Sequence, residues 1–471
     1  MEKSWRIPGR ETATACTMTC MAGTQSLFRN AYALMAATVL TSALGMAFWA
    51  VAARMYDAET VGRAAAAIAA MLLVANAAQL NLSVGLMRFL PVTAGHEKKL
   101  VLTSYLAAAF VGFMLSSAFL LISPILLPEL QFLTDSAIPT FLFISGVVVW
   151  TVFSLQDAVL TGIRAAIWVP IENTAFGVLK LLLLVVLAAG LSTYGILVSW
   201  VVPMAVMLVP VNLLIFRHLL PRMRTPTASV SEMPAPRSMA KFIGGDYVGT
   251  LLSHTSTTAL PLLVISLAGP EESAVFYVAW TLGAALDFIA TGTASSFLVE
   301  GAAHPDTAIA YRHAAAKRAT LLLAPALVGT ALLADPLLWF FGQEYRQARW
   351  AVVLLCLAAL PRMLLLLRLA HLRIQRRIST VVWLQALGCA AMLSLSTLAL
   401  QLGLGSTGVA GCWLITETIV LAAALLTPRH DPAPTSSPGT APTPRGVSPQ
   451  IAIVSGGRTH DRPASPHRTR S

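Results

Sequence analysis

Four charged side chains stand inside long apolar runs of this 471-residue chain: Lys180, Asp287, Arg362 and Glu417. At a helical rise of 1.5 Å per residue, Lys180 and Glu417 lie roughly 15 Å into their runs, Arg362 roughly 18 Å and Asp287 roughly 20 Å. A charge at that depth in hydrocarbon costs at least ~2.5–3.5 kcal/mol, so it needs an opposite charge or a wet cavity beside it. Two readings follow. In one, the cations and anions pair with each other as structural ion pairs. In the other, Lys180 and Arg362 bind an anionic head group, and Asp287 or Glu417 takes up a coupling ion, H+ or Na+. His254 is a further candidate for that ion, within Ser253-His254-Thr255-Ser256-Thr257-Thr258 and just ahead of Pro261. Its imidazole can carry a proton near neutral pH or bond, neutral, to a neighbouring helix, and the hydroxyls can bond back to their own helix. Pro261, like Pro361 directly before Arg362, removes a backbone donor, a break tolerated where helices line a cavity. Arg368 lies nearer the end of its run, where its stem can reach the interface.

The elements that must hold these groups are transmembrane helices. The chain is 56% hydrophobic and only 11% charged, with a mean hydropathy of +0.73; a soluble domain of this size carries far more surface charge. Crossing a hydrocarbon core of ~30 Å takes about 20 apolar residues. Twelve segments qualify, at 31–53, 61–82, 101–123, 137–158, 171–190, 195–216, 247–268, 274–296, 319–340, 349–370, 379–400 and 407–426. Their length favours helices over barrel strands, because lipid forces each span to satisfy its own backbone. If the N-terminus is inside, cytoplasmic segments carry 25 of the 32 Lys and Arg, and the outer side only Arg54, Arg63, Arg346 and Arg349. That asymmetry predicts a multi-pass protein of a bacterial inner membrane with both termini cytoplasmic. The net charge of +11 does not point to nucleic acid, since the basic residues form no aromatic-interleaved patch.

Composition divides the chain further. We expect a cytoplasmic tail at 1–26, a six-helix bundle at 27–216, a cytoplasmic linker at 217–245, a second six-helix bundle at 246–426 and a disordered cytoplasmic tail rich in Pro, Ser, Thr and Arg at 427–471. The bundles repeat at a nearly constant offset. Asp57-Ala58-Glu59-Thr60-Val61 corresponds to Pro270-Glu271-Glu272-Ser273-Ala274, Arg164 with Asn173 to Arg376 with Gln385, and Trp200 to Trp413. A repeat of six spans restores the same orientation. The halves are then related by a pseudo-two-fold axis along the membrane normal with a cavity between them, the plan of carriers that rock one bundle against the other. A duplicated bundle that is merely stable is the bland alternative. None of the four buried charges has a charged counterpart in the other half, which a shared scaffold role does not explain. The five cysteines are too few for a disulfide framework; Cys16 and Cys20 make a weak metal signal, so neither a metal site nor a cofactor is expected.

Short motifs then occur in order along the chain. They are Ala53-Arg54 with Glu59 and Gly62, Arg88-Phe89-Leu90-Pro91, Gln156-Asp157 with Gly162, Arg164, Trp168 and Asn173, Asp246-Tyr247, Leu260-Pro261-Leu262, Phe276-Tyr277, and Phe341-Gly342 with Tyr345. In this order, over about residues 27–426, the chain resembles the polysaccharide-exporter branch of the multidrug/oligosaccharidyl-lipid/polysaccharide (MOP) flippase superfamily. The resemblance implies a flippase that carries a polyprenyl-diphosphate-linked glycan from the inner to the outer leaflet through a cationic central cavity, by alternating access, for cell-surface polysaccharide. It implies membrane lipids as surroundings and Arg54, at the first motif, as a further substrate-binding cation, although its span-end position equally suits an interfacial anchor. A diphosphate needs charge-assisted hydrogen bonds, which guanidinium and ammonium groups supply. The number of cavity cations is modest for this branch.

Three other classes fit less well. A major-facilitator carrier shares the twelve-span plan, but its Gly then Asp-Arg signature is missing from 88–100; a multidrug-type, ion-coupled exporter of small solutes stays open. A membrane-embedded glycan polymerase or ligase lacks the long outer loop, so no enzyme is expected. A nucleotide-driven pump lacks a GxxxxGK[ST] loop.

Overall fold

A computed structural model of the chain describes residues 40–93, 95–188, 190, 194–222, 244, 247–303 and 308–427. The expected tail at 1–26, all but the first residue of the tail at 427–471, most of the linker at 217–245, and Cys16 and Cys20 lie outside these residues.

The described chain is helical: α1 (Leu40–Met55), α2 (Ala58–Ala78), α3 (Glu97–Leu126), α4 (Ala137–Gly162), α5 (Trp168–Ala188), α6 (Gly195–Leu214), α7 (Tyr247–Thr258), α8 (Leu260–Ala303), α9 (Ala308–Leu332), α10 (Arg349–Ile374), α11 (Ile378–Gln401) and α12 (Gly405–Leu426). Ten helical runs among the described residues are long and apolar enough to cross a membrane. One of them, Tyr247–Leu298, has 52 residues, more than twice what one crossing needs. It turns at Gly269, whose φ of 88° is available to glycine at little cost, and Pro270 then starts the return. That run supplies the seventh and eighth expected spans, and α1 is the described part of the first. Every expected span therefore corresponds to a helix of a multi-pass membrane protein.

Helix α3 shows how such a helix is built. Its buried stripe is mostly small, Ser104, Ala108, Gly112, Ser116 and Ser123 with Tyr105 and Leu120 among them, whereas Leu106, Phe110, Leu121 and Ile125 point outward with 61–81% of their surface exposed. This inverts a water-soluble helix: small residues let backbones approach, and large apolar ones meet lipid. The ninth span departs from expectation. The apolar window suggested 319–340, but α9 starts at Ala308 and ends at Leu332, and a separate short helix runs over Ala334–Phe341. Arg312, Lys317 and Arg318 depress the hydropathy of the first turns without preventing a helix, and Asp335-Pro336 suits the start of a new one.

The internal repeat is visible in the backbone. Arg164 and Arg376, 212 positions apart, both adopt the left-handed conformation (φ 62° and 59°). Each closes its helix with the same pair of hydrogen bonds. Ala165 N donates to Leu160 O and Arg164 N to Thr161 O; Arg377 N donates to Leu372 O and Arg376 N to Arg373 O, all within 2.8–3.1 Å. Leucine and glycine repeat a further bond at offset 213, Gly190 N to Leu187 O and Gly403 N to Leu400 O.

The two six-helix bundles meet closely at the expected outer face. There α2 runs against α8 so tightly that a Cβ on Gly62 would come within 1.8 Å of the Pro270 carbonyl oxygen. Asp57 caps α2 at the same face, its carboxylate accepting from both the amide and hydroxyl of Thr60 at 2.8 Å. Burial pushes the Asp57 carboxyl up, but these hydrogen bonds outweigh it and hold it below the ordinary carboxylate value.

Candidate functional site

A cavity of about 860 Å³ lies between the bundles. It is walled by α1, α4, α5 and α6 of the first bundle and by Tyr277, Trp280 and Thr281 of α8 in the second. Thr161 and Ala166, which flank the α4–α5 turn, belong to its lining, so it reaches the expected cytoplasmic face. The helices that form it are joined across the bundles by Trp49 against Tyr277, ring centres 4.5 Å apart.

Lys180 is on this wall. Only 6% of its surface is exposed, and its ammonium lies 3.9 Å from the centre of the Trp200 ring, 4.8 Å from Phe48 and 5.0 Å from Phe176. Among the described residues no carboxylate pairs with it. An ammonium in an aromatic cage gains up to about 2 kcal/mol from the ring faces, less than the several kcal/mol that removing it from water costs. The cage holds the charge without cancelling it.

The other three buried charges form a separate cluster in the second bundle. Arg362 on α10 donates through Nε and Nη2 to Asp287 of α8, at 2.5 and 3.3 Å, and through Nη1 to Glu417 of α12 at 2.9 Å. Its guanidinium also lies 5.0 Å from the centre of the Trp413 ring. The cluster borders two small cavities of about 50 and 30 Å³, and none of its members lines the large one. Trp280 separates them, facing the large cavity on one side and the Asp287–Arg362 pocket on the other. The structure thus brings Asp287, Arg362 and Glu417 together and leaves Lys180 apart.

His254 is exposed on α7, within electrostatic reach of Arg362. The hydroxyl run around it bonds to its own helix: Ser256 to Ser253 O, and Thr257 and Thr258 to His254 O. Arg54 is not in the cavity lining. From the end of α1 it donates to the carbonyls of Phe340 (3.0 Å) and Trp339 (2.5 Å), fastening the bundles together at the expected outer face. Arg368 stands in the last third of α10. It is buried, donating to Ala424 O and Thr427 Oγ1 at the C-terminal end of α12, where helix carbonyls favour a cation.

Two acids not expected as site residues, Glu172 and the Asp157 of the Gln156-Asp157 motif, prove to be deep in the first bundle. Glu172 on α5 is 2% exposed with neither carboxylate oxygen hydrogen-bonded, and Asp157 on α4 lines the large cavity while accepting from Asn173 Nδ2 at 3.3 Å. The signal available was the placement of span ends. Spans drawn at 137–158 and 171–190 put both acids near head groups, but α4 continues to Gly162 and α5 begins at Trp168.

No protein-family model and no curated protein sequence matches the chain. Solved structures do match its fold. An inward-facing multidrug resistance MATE family transporter of the MOP superfamily aligns with a TM-score of 0.62 at 14% identity, over 82% of this chain and 92% of that one. The lipid II flippase MurJ in an inward closed conformation aligns with a TM-score of 0.67 at 12% identity, over 83% and 86%. A MATE in complex with MaL6 gives 0.59 at 13%, over 84% and 93%. At these identities what is shared is the architecture. Among the described residues this chain has the two-bundle, helical architecture of these solved transporters.

Proposed function

We propose that the protein is a membrane transporter that flips a polyprenyl-diphosphate-linked glycan from the inner to the outer leaflet, as a precursor of cell-surface polysaccharide. The observation that carries this reading is Lys180: a buried cation with no carboxylate partner among the described residues, facing a cavity of about 860 Å³ between the two bundles. A fixed positive charge there attracts a diphosphate and repels a cationic solute. The surrounding Trp49, Trp150, Trp200, Tyr277 and Trp280 offer flat amphipathic faces for sugar rings. The volume falls in the upper part of the range of about 300–1,000 Å³ typical of ligand cavities. It suits a head group with its first sugars, while the lipid tail stays in the bilayer.

In this reading the protein spans a bacterial inner membrane with both termini cytoplasmic, consistent with its Lys and Arg asymmetry. The conformation is inward-facing: the Gly62–Pro270 contact and the Arg54 bonds close the outer face, and the cavity reaches the inner one. The test is flux of a fluorescent polyprenyl-diphosphate-linked oligosaccharide in proteoliposomes. We expect the wild type to move it and Lys180→Met to lose at least tenfold of the rate. Equal rates in empty liposomes and in the wild type exclude the reading. A second reading, export of a small solute, is favoured by Asp157 on the cavity wall, which offers a cation a partner; flux of a cationic dye with none of the glycan probe would establish it.

A further inference from the structure

Every acid expected to take up a coupling ion in the second bundle is already engaged by one guanidinium: Arg362 holds both Asp287 and Glu417. The acids without such a partner are in the first bundle. Glu172 presents two buried carboxylate oxygens and Asp157 one, none of them hydrogen-bonded. Tyr105 on α3, 6% exposed, has a hydroxyl that is likewise unpartnered and lies within electrostatic reach of both acids. Asn173 joins the group through its hydrogen bond to Asp157. The groups that reach these acids are therefore Tyr105 from α3 and Asn173 on α5. Among the described residues neither acid pairs with Lys, Arg or His.

Burying a carboxylate with no donor and no cation is among the costliest arrangements in a protein. Glu172 is such a group, and Asp157, held by one donor, lies within its electrostatic reach, so the two acids share one proton rather than both being ionised. We propose that Asp157 and Glu172 form a proton-binding pair in the first bundle, open to the large cavity through Asp157 and closed behind Glu172. The pair is two helical turns along α5 from Lys180, roughly 12 Å at 1.5 Å per residue. A proton entering it and an anion reaching Lys180 alter the charge of one cavity wall together. On the transport reading above, this is how an inward or outward step senses the proton gradient without any nucleotide.

Two measurements on the full chain in liposomes test the pair. Infrared difference spectroscopy at neutral pH should show a protonated-carboxyl band that is lost in Glu172→Gln and displaced in Asp157→Asn. An unchanged band in both folded variants overturns the proposal. The second readout uses the fluorescent polyprenyl-diphosphate-linked oligosaccharide with a pH difference of one unit across the membrane, equivalent to about a tenfold bias for one proton per cycle. That bias should appear in the wild type and vanish in Glu172→Gln. The same bias produced by a sodium gradient at equal pH on both sides overturns the proton assignment. If the wild type moves no probe under any gradient, the transport reading falls, whereas the infrared band still upholds the proton pair.

Discussion

The two bundles treat the same tryptophan in opposite ways. Trp200 and Trp413 occupy equivalent places in the repeat, and each lies under a cation, Lys180 at 3.9 Å and Arg362 at 5.0 Å. In the second bundle two carboxylates complete the arrangement and neutralise the guanidinium. In the first, Phe48 and Phe176 complete it and leave the amine without a carboxylate partner among the described residues, beside a cavity more than ten times the volume of either pocket at Arg362. One half has turned the position into cross-bracing between α8, α10 and α12. The other has kept it uncompensated and therefore able to recognise something that arrives.

Substitutions at the two cations separate these roles. Arg362→Met strands two acids in the second bundle, and thermal melting of the purified protein should show a loss of about 3–5 kcal/mol. Replacing all three charges together, Arg362→Met with Asp287→Asn and Glu417→Gln, should recover most of that loss. Lys180→Met should behave inversely. Its melting temperature should match or exceed that of the wild type, since an uncompensated buried charge is removed, while affinity for the diphosphate-linked probe falls by about 2 kcal/mol or more. If Lys180→Met melts as low as Arg362→Met, the contrast between the bundles is wrong.

The contact between bundles gives two smaller effects. Gly62→Val forces branched carbon against the Pro270 carbonyl and should cost about 1–3 kcal/mol. It should also raise the labelling of cysteines placed on the cavity wall by reagents added outside, because the outer face can no longer close. Asp57→Ala removes the cap of α2 and should cost about 0.5–2 kcal/mol. The Asp57 carboxyl is depressed in the folded state, so its contribution is complete above the ordinary carboxylate range and is lost as pH falls through its lowered value. A pH scan of melting for wild type and Asp57→Ala should converge in strong acid.

The spans were legible because hydrocarbon imposes a length, and the repeat was legible because Arg164 and Arg376 must end their helices at one offset. Partnership among buried charges was not. Arg362 is 75 positions from Asp287 and 55 from Glu417, and only helix packing decides that the guanidinium reaches both acids rather than the cavity. Arg54 read equally as a ligand or an anchor because its span-end position does not say what the neighbouring bundle offers; two carbonyls of the 339–340 segment supply the answer. Glu172, and Asp157 beyond its place in a motif, were not legible as site residues for a different reason. A few residues of error at a span end convert an apparent head-group residue into a buried one.

The close approach of Gly62 to Pro270 also dictates how motion is amplified. A contact that cannot thicken at one face acts as a fulcrum, and the far ends of the helices become its lever arms. Across a hydrocarbon slab of ~30 Å, a tilt of about 10° displaces those ends by about 5 Å. One missing methyl group at residue 62 therefore governs a gap several atoms wide on the opposite side of the membrane.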